Sequence, residues 1–158
     1  MRSVQVKFNI NGKERNVTSY PNRTLLEVLR DDLGLTGVKD GCGGEGECGA
    51  CTVIMDGNPV NSCLVFIGQA HGHTIETIEG LYRNSELHPL QKAFIENGAV
   101  QCGYCTPGAI MSAKALIDRN PDPKDQEIRE ALSGNLCRCT GYVKMVEAVR
   151  NATRELGK

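Results

Sequence analysis

Eight cysteines are the residues of this 158-residue sequence best suited to chemistry, and they fall in four places. Cys42, Cys48 and Cys51 come first, then Cys63, then Cys102 and Cys105, then Cys137 and Cys139. The first three lie in DGCGGEGECGACTV, residues 40–53, threaded with Gly41, Gly43, Gly44, Gly46 and Gly49. Thiols in such a loop can form disulfides, hold zinc, act as a redox dithiol or ligate an iron–sulfur cluster. A glycine-rich loop can also cradle a nucleotide, and residues 41–46 and 44–49 both satisfy G-x-G-x-x-G. That fingerprint must open a helix whose N-terminus takes the pyrophosphate, whereas the run Thr52-Val53-Ile54 predicts a strand. Cys48-Gly-Ala-Cys51 and Cys102-Gly-Tyr-Cys105 have dithiol spacing, but a dithiol enzyme needs one pair and no further thiols. No histidine follows either pair, so covalent haem is excluded.

The thiols divide into four and four. Cys42, Cys48, Cys51 and Cys63 read C-x5-C-x2-C-x11-C, three ligands from one loop and a fourth beyond it. This resembles the plant-type ferredoxin spacing, while structural zinc more often uses two tight pairs. Glycine suits a loop that must turn its amides inward around an anionic cluster, because it visits positive φ without steric strain. Glu45 and Glu47 should then face water. The second set, Cys102, Cys105, Cys137 and Cys139, reads C-x2-C-x31-C-x-C. Its two-plus-two spacing suits zinc and an iron–sulfur cluster equally well.

The elements that must position these thiols change character halfway. Val4, Val6, Phe8 and Ile10 alternate with polar residues, Asn11-Gly12 is a strong hairpin signal, and KERNVTSY returns as a second strand. Thr24 to Glu27 forms a capping box for a helix of about three turns that ends near Gly34. TVIM, Asp56-Gly57 and PVNSCLVF predict a second hairpin, and HTIETI a last short strand. Four short helices follow. They open at Pro89, at Thr106-Pro107 with Thr106 as N-cap, at Asp122-Pro123, and at Tyr142. The expected class is α+β, with a small mixed sheet over 1–79, a helical bundle over 80–158, and the join near 79–85.

A net charge of −1 gives no reason to expect nucleic acid as a partner, and the absence of tryptophan removes a stacking platform. No run approaches the roughly 20 apolar residues of a membrane span. The N-terminus MRSVQVKFNING alternates apolar and polar residues and lacks a secretory pattern. A cytoplasmic protein is expected, in which eight thiols are not structural disulfides. His71, His73 and His88 lack ligand-like pairing and read as surface or packing residues. Thr140, like Thr106, reads as a helix cap, Tyr104 and Tyr142 as packing, and Arg138 as either facing a partner or complementing an anionic centre.

Taken in order, GCGGEGECGACTV, VNSCLV, QCGYCTPG and LCRCTGY resemble the small iron–sulfur subunit of the molybdenum hydroxylases. That family includes xanthine dehydrogenase, aldehyde and carbon monoxide oxidoreductases, nicotinate-type dehydrogenases and 4-hydroxybenzoyl-CoA reductase. The resemblance spans essentially the whole chain. It implies a ferredoxin-like β-grasp domain over 1–79 and an all-α four-helix domain over 80–158, each holding one [2Fe–2S] cluster. Cys42, Cys48, Cys51 and Cys63 would hold the cluster nearer the flavin and the surface. Cys102, Cys105, Cys137 and Cys139 would hold the one nearer molybdenum. Gln101 would hydrogen-bond the pterin of the molybdenum cofactor, with Cys139 beside it. One departure stands out: five residues separate the first two cysteines, where the family usually has four.

The implied function is electron transfer between a molybdopterin centre in a large subunit and FAD in a medium subunit, within a dimer of heterotrimers. No nucleophile–base pair or carboxylate dyad stands out, so the chain itself would do no bond-making. Two other readings predict different properties. A module with two four-cysteine zinc sites would be colourless and redox-inert, and a free-standing ferredoxin would be a stable monomer.

Overall fold

The computed structural model describes residues 2–157. Strand β1 (Val4–Ile10) buries Val6, Phe8 and Ile10 on one face and turns through Asn11 and Gly12, both at positive φ, into β2 (Lys13–Ser19). The expected box closes α1 (Leu25–Glu27): Glu27 N donates to Thr24 Oγ1 at 3.2 Å and Thr24 N to Glu27 Oε2 at 2.6 Å. The three expected turns are not regular α-helix, however. Val28–Asp32 widens into a π-helical turn closed by Leu33 N on Val28 O. The wider turn lets Leu25, Leu26, Val28 and Leu29 all bury.

Strands β3 (Thr52–Met55) and β4 (Asn58–Asn61) form the second hairpin, and β5 (Thr74–Glu76) completes one sheet in the order β2-β1-β5-β3-β4. β1 and β5 run parallel while the other pairs are antiparallel, so the sheet is mixed. β4 stops short of Cys63, which sits on a 3-10 turn over Ser62–Leu64 instead of a strand. Val53 joins an apolar cluster with Phe8, Leu29 and Ile75, while Ile54 joins another with Phe94, Met111 and Met145. β3 is therefore covered on both faces, which is why TVIM reads as an unbroken apolar run without alternation.

Four helices follow: α2 (Pro89–Glu96), α3 (Thr106–Arg119), α4 (Asp125–Leu132) and α5 (Val143–Leu156). α4 begins three residues later than Asp122, with Lys124 at its N-cap. α3 lies against β3 and carries Ala109, Ile110 and Ala113 into the second cluster. The whole is a mixed α+β fold in which sheet and helices meet at β3.

His88 caps α2: its Nδ1 accepts from Leu90 N at 3.2 Å, and its N–H donates to Gln91 Oε1 at 3.0 Å. Burial, then Lys114 and Arg83, hold its pKa below the ordinary 6.5, against the opposing pull of Asp118 and Glu76. A protonated imidazole cannot accept at Nδ1. With the folded pKa depressed, the stabilisation is complete above the unfolded value and is lost as pH falls through the folded one. Urea unfolding between pH 7.5 and 5 should therefore show an acid-side loss that His88→Asn flattens.

Candidate metal centres

The first thiol set is held by a loop that needs its glycines. Gly43, Gly44, Gly46 and Gly49 all adopt positive φ, between 67° and 90°. Their amides do not all converge on sulfur. Asp40 Oδ1 accepts from Gly43 N at 2.8 Å and from Gly44 N at 3.3 Å, pinning the start of the loop. Backbone hydrogen bonds from Cys48, and less from Glu47 and Gly46, lower the Cys42 thiol to about 7 against opposing burial. The loop is thus built to carry a thiolate at Cys42. Asn61 Nδ2 donates to Gly46 O at 2.8 Å and ties the loop to β4, a role no local pattern announced. Glu45 and Glu47 are exposed, as expected.

Across this set the thiols lie within electrostatic reach of one another, and Cys63 feels Cys42 as well as Cys51. Cys42 interacts with Cys48, and Cys51 with Cys63. The additional residue between Cys42 and Cys48 leaves that pair together. Cys51 and Cys63 are buried, and desolvation pushes the Cys63 thiol up to about 12. At Cys63 the thiolate forms only when a cation takes the charge.

In the second set Cys105 is acted on by Cys137 and less by Cys102, and Cys139 by Cys102 and less by Cys137. Burial raises Cys105 to about 12. Burial also pushes Cys137 upward, but hydrogen bonds from Thr140 and from the Cys139 amide outweigh it and leave that thiol lowered. Thr140 Oγ1 donates to Cys137 Sγ at 3.1 Å, and Thr140 N approaches it at 3.4 Å. Thr140 is therefore a donor to sulfur and not a helix cap; the N-cap of α5 is Tyr142, at φ +68°. Tyr142 Oη accepts from Cys137 N at 2.8 Å, and Tyr104 Oη donates to Asp40 O at 2.5 Å. Both tyrosines hold the cysteine loops in place. Thr106 does not cap α3 either, since it is the first helical residue and Cys105 is the N-cap. Its Oγ1, buried and without a partner, lies next in sequence to Cys105. An orphan hydroxyl at that position fits an inorganic anion such as cluster sulfide.

Among the described residues no three His, Cys, Asp or Glu side chains converge on a point that would hold one ion. Each set offers four thiols, the number of thiolates a two-iron centre takes.

The sets are stitched together. Leu136 N donates to Cys48 O at 2.9 Å, linking the residue before Cys137 to a thiol residue of the first set. Buried Asn135 gives its Nδ2 to Gly49 O at 2.9 Å. Gly108 of α3 lies so close that a Cβ there would meet Gly49 O at 2.2 Å. Between the sets is a cavity of about 620 Å³ lined by Cys48, Cys105, Cys137, Tyr104, Tyr142 and Arg138. Arg138 is exposed at the edge of this cavity. Cys102, Cys139 and neighbouring Gln101 are exposed, so in the isolated chain the second set, more than the first, reaches the surface. Exposed Val100, Leu136 and Val143 surround it in sequence.

Two family models match. The 2Fe-2S iron-sulfur cluster binding domain covers residues 8–73 and the [2Fe-2S] binding domain residues 77–150. The chain is 56% identical to the nicotinate dehydrogenase small FeS subunit of Eubacterium barkeri, over 96% of each chain. It superposes on a chain of quinoline 2-oxidoreductase from Pseudomonas putida 86 with TM-score 0.93 and 42% identity, covering 98% of this chain and 96% of that one. Aldehyde oxidoreductase from Desulfovibrio desulfuricans ATCC 27774 contains the same fold, with TM-score 0.93 and 45% identity, in 17% of a longer chain.

Proposed function

This chain belongs to the family of small iron–sulfur subunits of the molybdenum hydroxylases, and on that premise we propose that it carries electrons between two partner subunits through two thiol-held centres. The observation that carries the reading is that each of the two matched [2Fe-2S] domains contains four of the eight cysteines, with the two sets joined by Leu136 N–H on Cys48 C=O. Each [2Fe–2S] group, when bound, accepts and returns one electron.

Residue by residue, Cys42, Cys48, Cys51 and Cys63 would hold the first group, and Cys102, Cys105, Cys137 and Cys139 the second. Thr140 and the amides of Gly46, Glu47 and Cys48 spread the thiolate charge by hydrogen bonding, which favours an additional electron. From Cys48 a bonded path runs through its carbonyl, across one hydrogen bond to the Leu136 amide, and on to Cys137.

The layout is a β-grasp domain over 1–79 followed by a four-helix domain over 80–158. Their contact along Gly49, Gly108 and Asn135 keeps the two sets adjacent. The complex is multi-subunit. Its large subunit holds the molybdopterin cofactor against the exposed Cys102/Cys139 end, where Gln101 offers the pterin one donor and one acceptor without adding charge. A medium subunit holds FAD, and the assembly is a cytoplasmic dimer of heterotrimers. No helix of the described residues is long and apolar enough to cross a membrane.

The test is chemical. Material purified anaerobically should contain about four iron and about four acid-labile sulfide per chain, with visible absorption that bleaches on dithionite. Colourless material with two zinc ions per chain and no sulfide overturns the proposal.

A further inference from the structure

We propose that the free edge of β2, with the positively charged groove beside it, docks an extended acidic segment of another subunit. This rests on the chain's working inside a multi-subunit complex.

β2 lies at one end of the sheet order, so one side of its backbone ladder is open. Which groups are open follows from parity. Asn9 N donates to His73 O, Asn11 N to Ile75 O, and Gly72 N to Lys7 O, so the odd residues of β1 face β5. Its even residues therefore bond to β2, in the register Ile10 with Lys13, Phe8 with Arg15 and Val6 with Val17. On β2, Glu14, Asn16 and Thr18 are left presenting their N–H and C=O groups to the open edge.

The pleat decides where the charges go. Residues directly opposite in an antiparallel pair share a face, so Lys13 and Arg15 lie on the same face as buried Ile10 and Phe8. Cations on the inner face of an edge strand discourage pairing with another strand like itself. They also enter a groove of about 450 Å³ with apolar Leu33 and Leu35 in its wall and exposed Tyr82 and Arg83 on its rim. The one acid lining it, Glu79, is committed elsewhere: its carboxylate accepts from Gly37 N at 2.7 Å and Thr77 Oγ1 at 2.6 Å. Arg83 gives Nε to Gly80 O at 3.0 Å and reaches Glu76 only at 3.7 Å. Among the described residues neither Lys13 nor Arg15 has an ion pair. A chain of net charge −1 thus concentrates unmatched positive charge beside an unpaired ladder.

A strand laid along β2 would satisfy both features. Its main chain would bond to Glu14, Asn16 and Thr18, and its alternate side chains would hang over the groove. Carboxylates at two successive alternate positions would reach Lys13 and Arg15. A second copy of this chain is the poorer occupant, because it would bring its own Lys13 and Arg15 to the same edge.

Hydrogen exchange on the wild-type complex tests the ladder, and charge reversal tests the groove. The amides of Glu14, Asn16 and Thr18 should exchange at least tenfold more slowly in the assembled complex than in the isolated, cluster-loaded chain. Lys13→Glu combined with Arg15→Glu should weaken assembly at least tenfold while leaving the visible spectrum and iron content of the chain intact. The Lys13→Gln/Arg15→Gln pair should give a smaller loss, and raising ionic strength should weaken the wild type more than this neutral pair. Equal exchange rates in the free and assembled chain overturn the proposal, as does assembly indifferent to charge. Protection that rises with the concentration of the isolated chain alone assigns the edge to self-association and overturns it as well. Absence of iron and sulfide would instead defeat the electron-transfer reading, a failure visible before any assembly is measured.

Discussion

Cys137→Ser should remove one of the two EPR signals expected of the reduced chain and leave the other unchanged. The thiol of Cys137 faces Cys105, and it alone among the eight accepts a side-chain hydroxyl, Thr140 Oγ1 at 3.1 Å. Serine keeps the volume but offers an alcohol that resists ionisation far more than a thiol, so one iron of the second centre loses a ligand. The first set shares no side chain with this network. Its links to the second, from Leu136 N to Cys48 O, Asn135 Nδ2 to Gly49 O and Tyr104 Oη to Asp40 O, do not involve the Cys137 side chain. Iron should accordingly fall from about four to about two per chain, with sulfide falling in step. Loss of both signals from a chain whose circular dichroism is unchanged would mean that the thiols do not divide as the two sets imply.

What the sequence disclosed depended on how local the cause was. The β1–β2 hairpin rests on Asn11-Gly12, and the Thr24 box on two side chains three residues apart; both are short-range and both were legible. Two iron–sulfur domains were legible from the cysteine spacing and its resemblance to known motifs, and the two matched domain models agree. For the second set that spacing fitted zinc as well as iron–sulfur, and similarity to known [2Fe-2S] domains decided it.

Long-range geometry was not legible. The approach of Cys105 to Cys137, 32 residues on, depends on how α3 meets the loop before α5. Thr106 and Thr140 follow the N-cap preference by residue type, yet neither caps a helix. One is left with a buried unpartnered hydroxyl beside a thiol residue, and the other gives its hydroxyl to a sulfur. Both departures from local rule fall at the proposed site, where function competes with local propensity. Asp40, Asn61 and Asn135, which clamp the loops, are ordinary polar residues until the partners 3 to 86 positions away are known.

The contact between the two sets makes a prediction whose sign separates helix propensity from packing. Gly108 lies in the first turn of α3, and propensity alone says that Gly108→Ala should stabilise by about 1 kcal/mol. Packing says the reverse. The new Cβ would stand 2.2 Å from Gly49 O and 3.2 Å from Ala50 Cα, both backbone atoms that cannot rotate away. Gly49 cannot retreat either, because its carbonyl accepts from Thr52 Oγ1 at 2.7 Å and Asn135 Nδ2 at 2.9 Å, and its own open side faces Gly134 O. Overpacking a site so constrained costs about 1–3 kcal/mol, enough to reverse the propensity gain. The strain is relieved only by moving α3, and with it Cys105, away from the loop that carries Cys48. Each centre should keep its own spectrum, while the magnetic interaction between them weakens and electron exchange slows. Gly134→Ala, where a Cβ meets nothing within 4 Å, should leave stability and interaction nearly unchanged. If Gly108→Ala proves as stable as the wild type and its centres interact as strongly, then close backbone approach is not what holds the two thiol sets together.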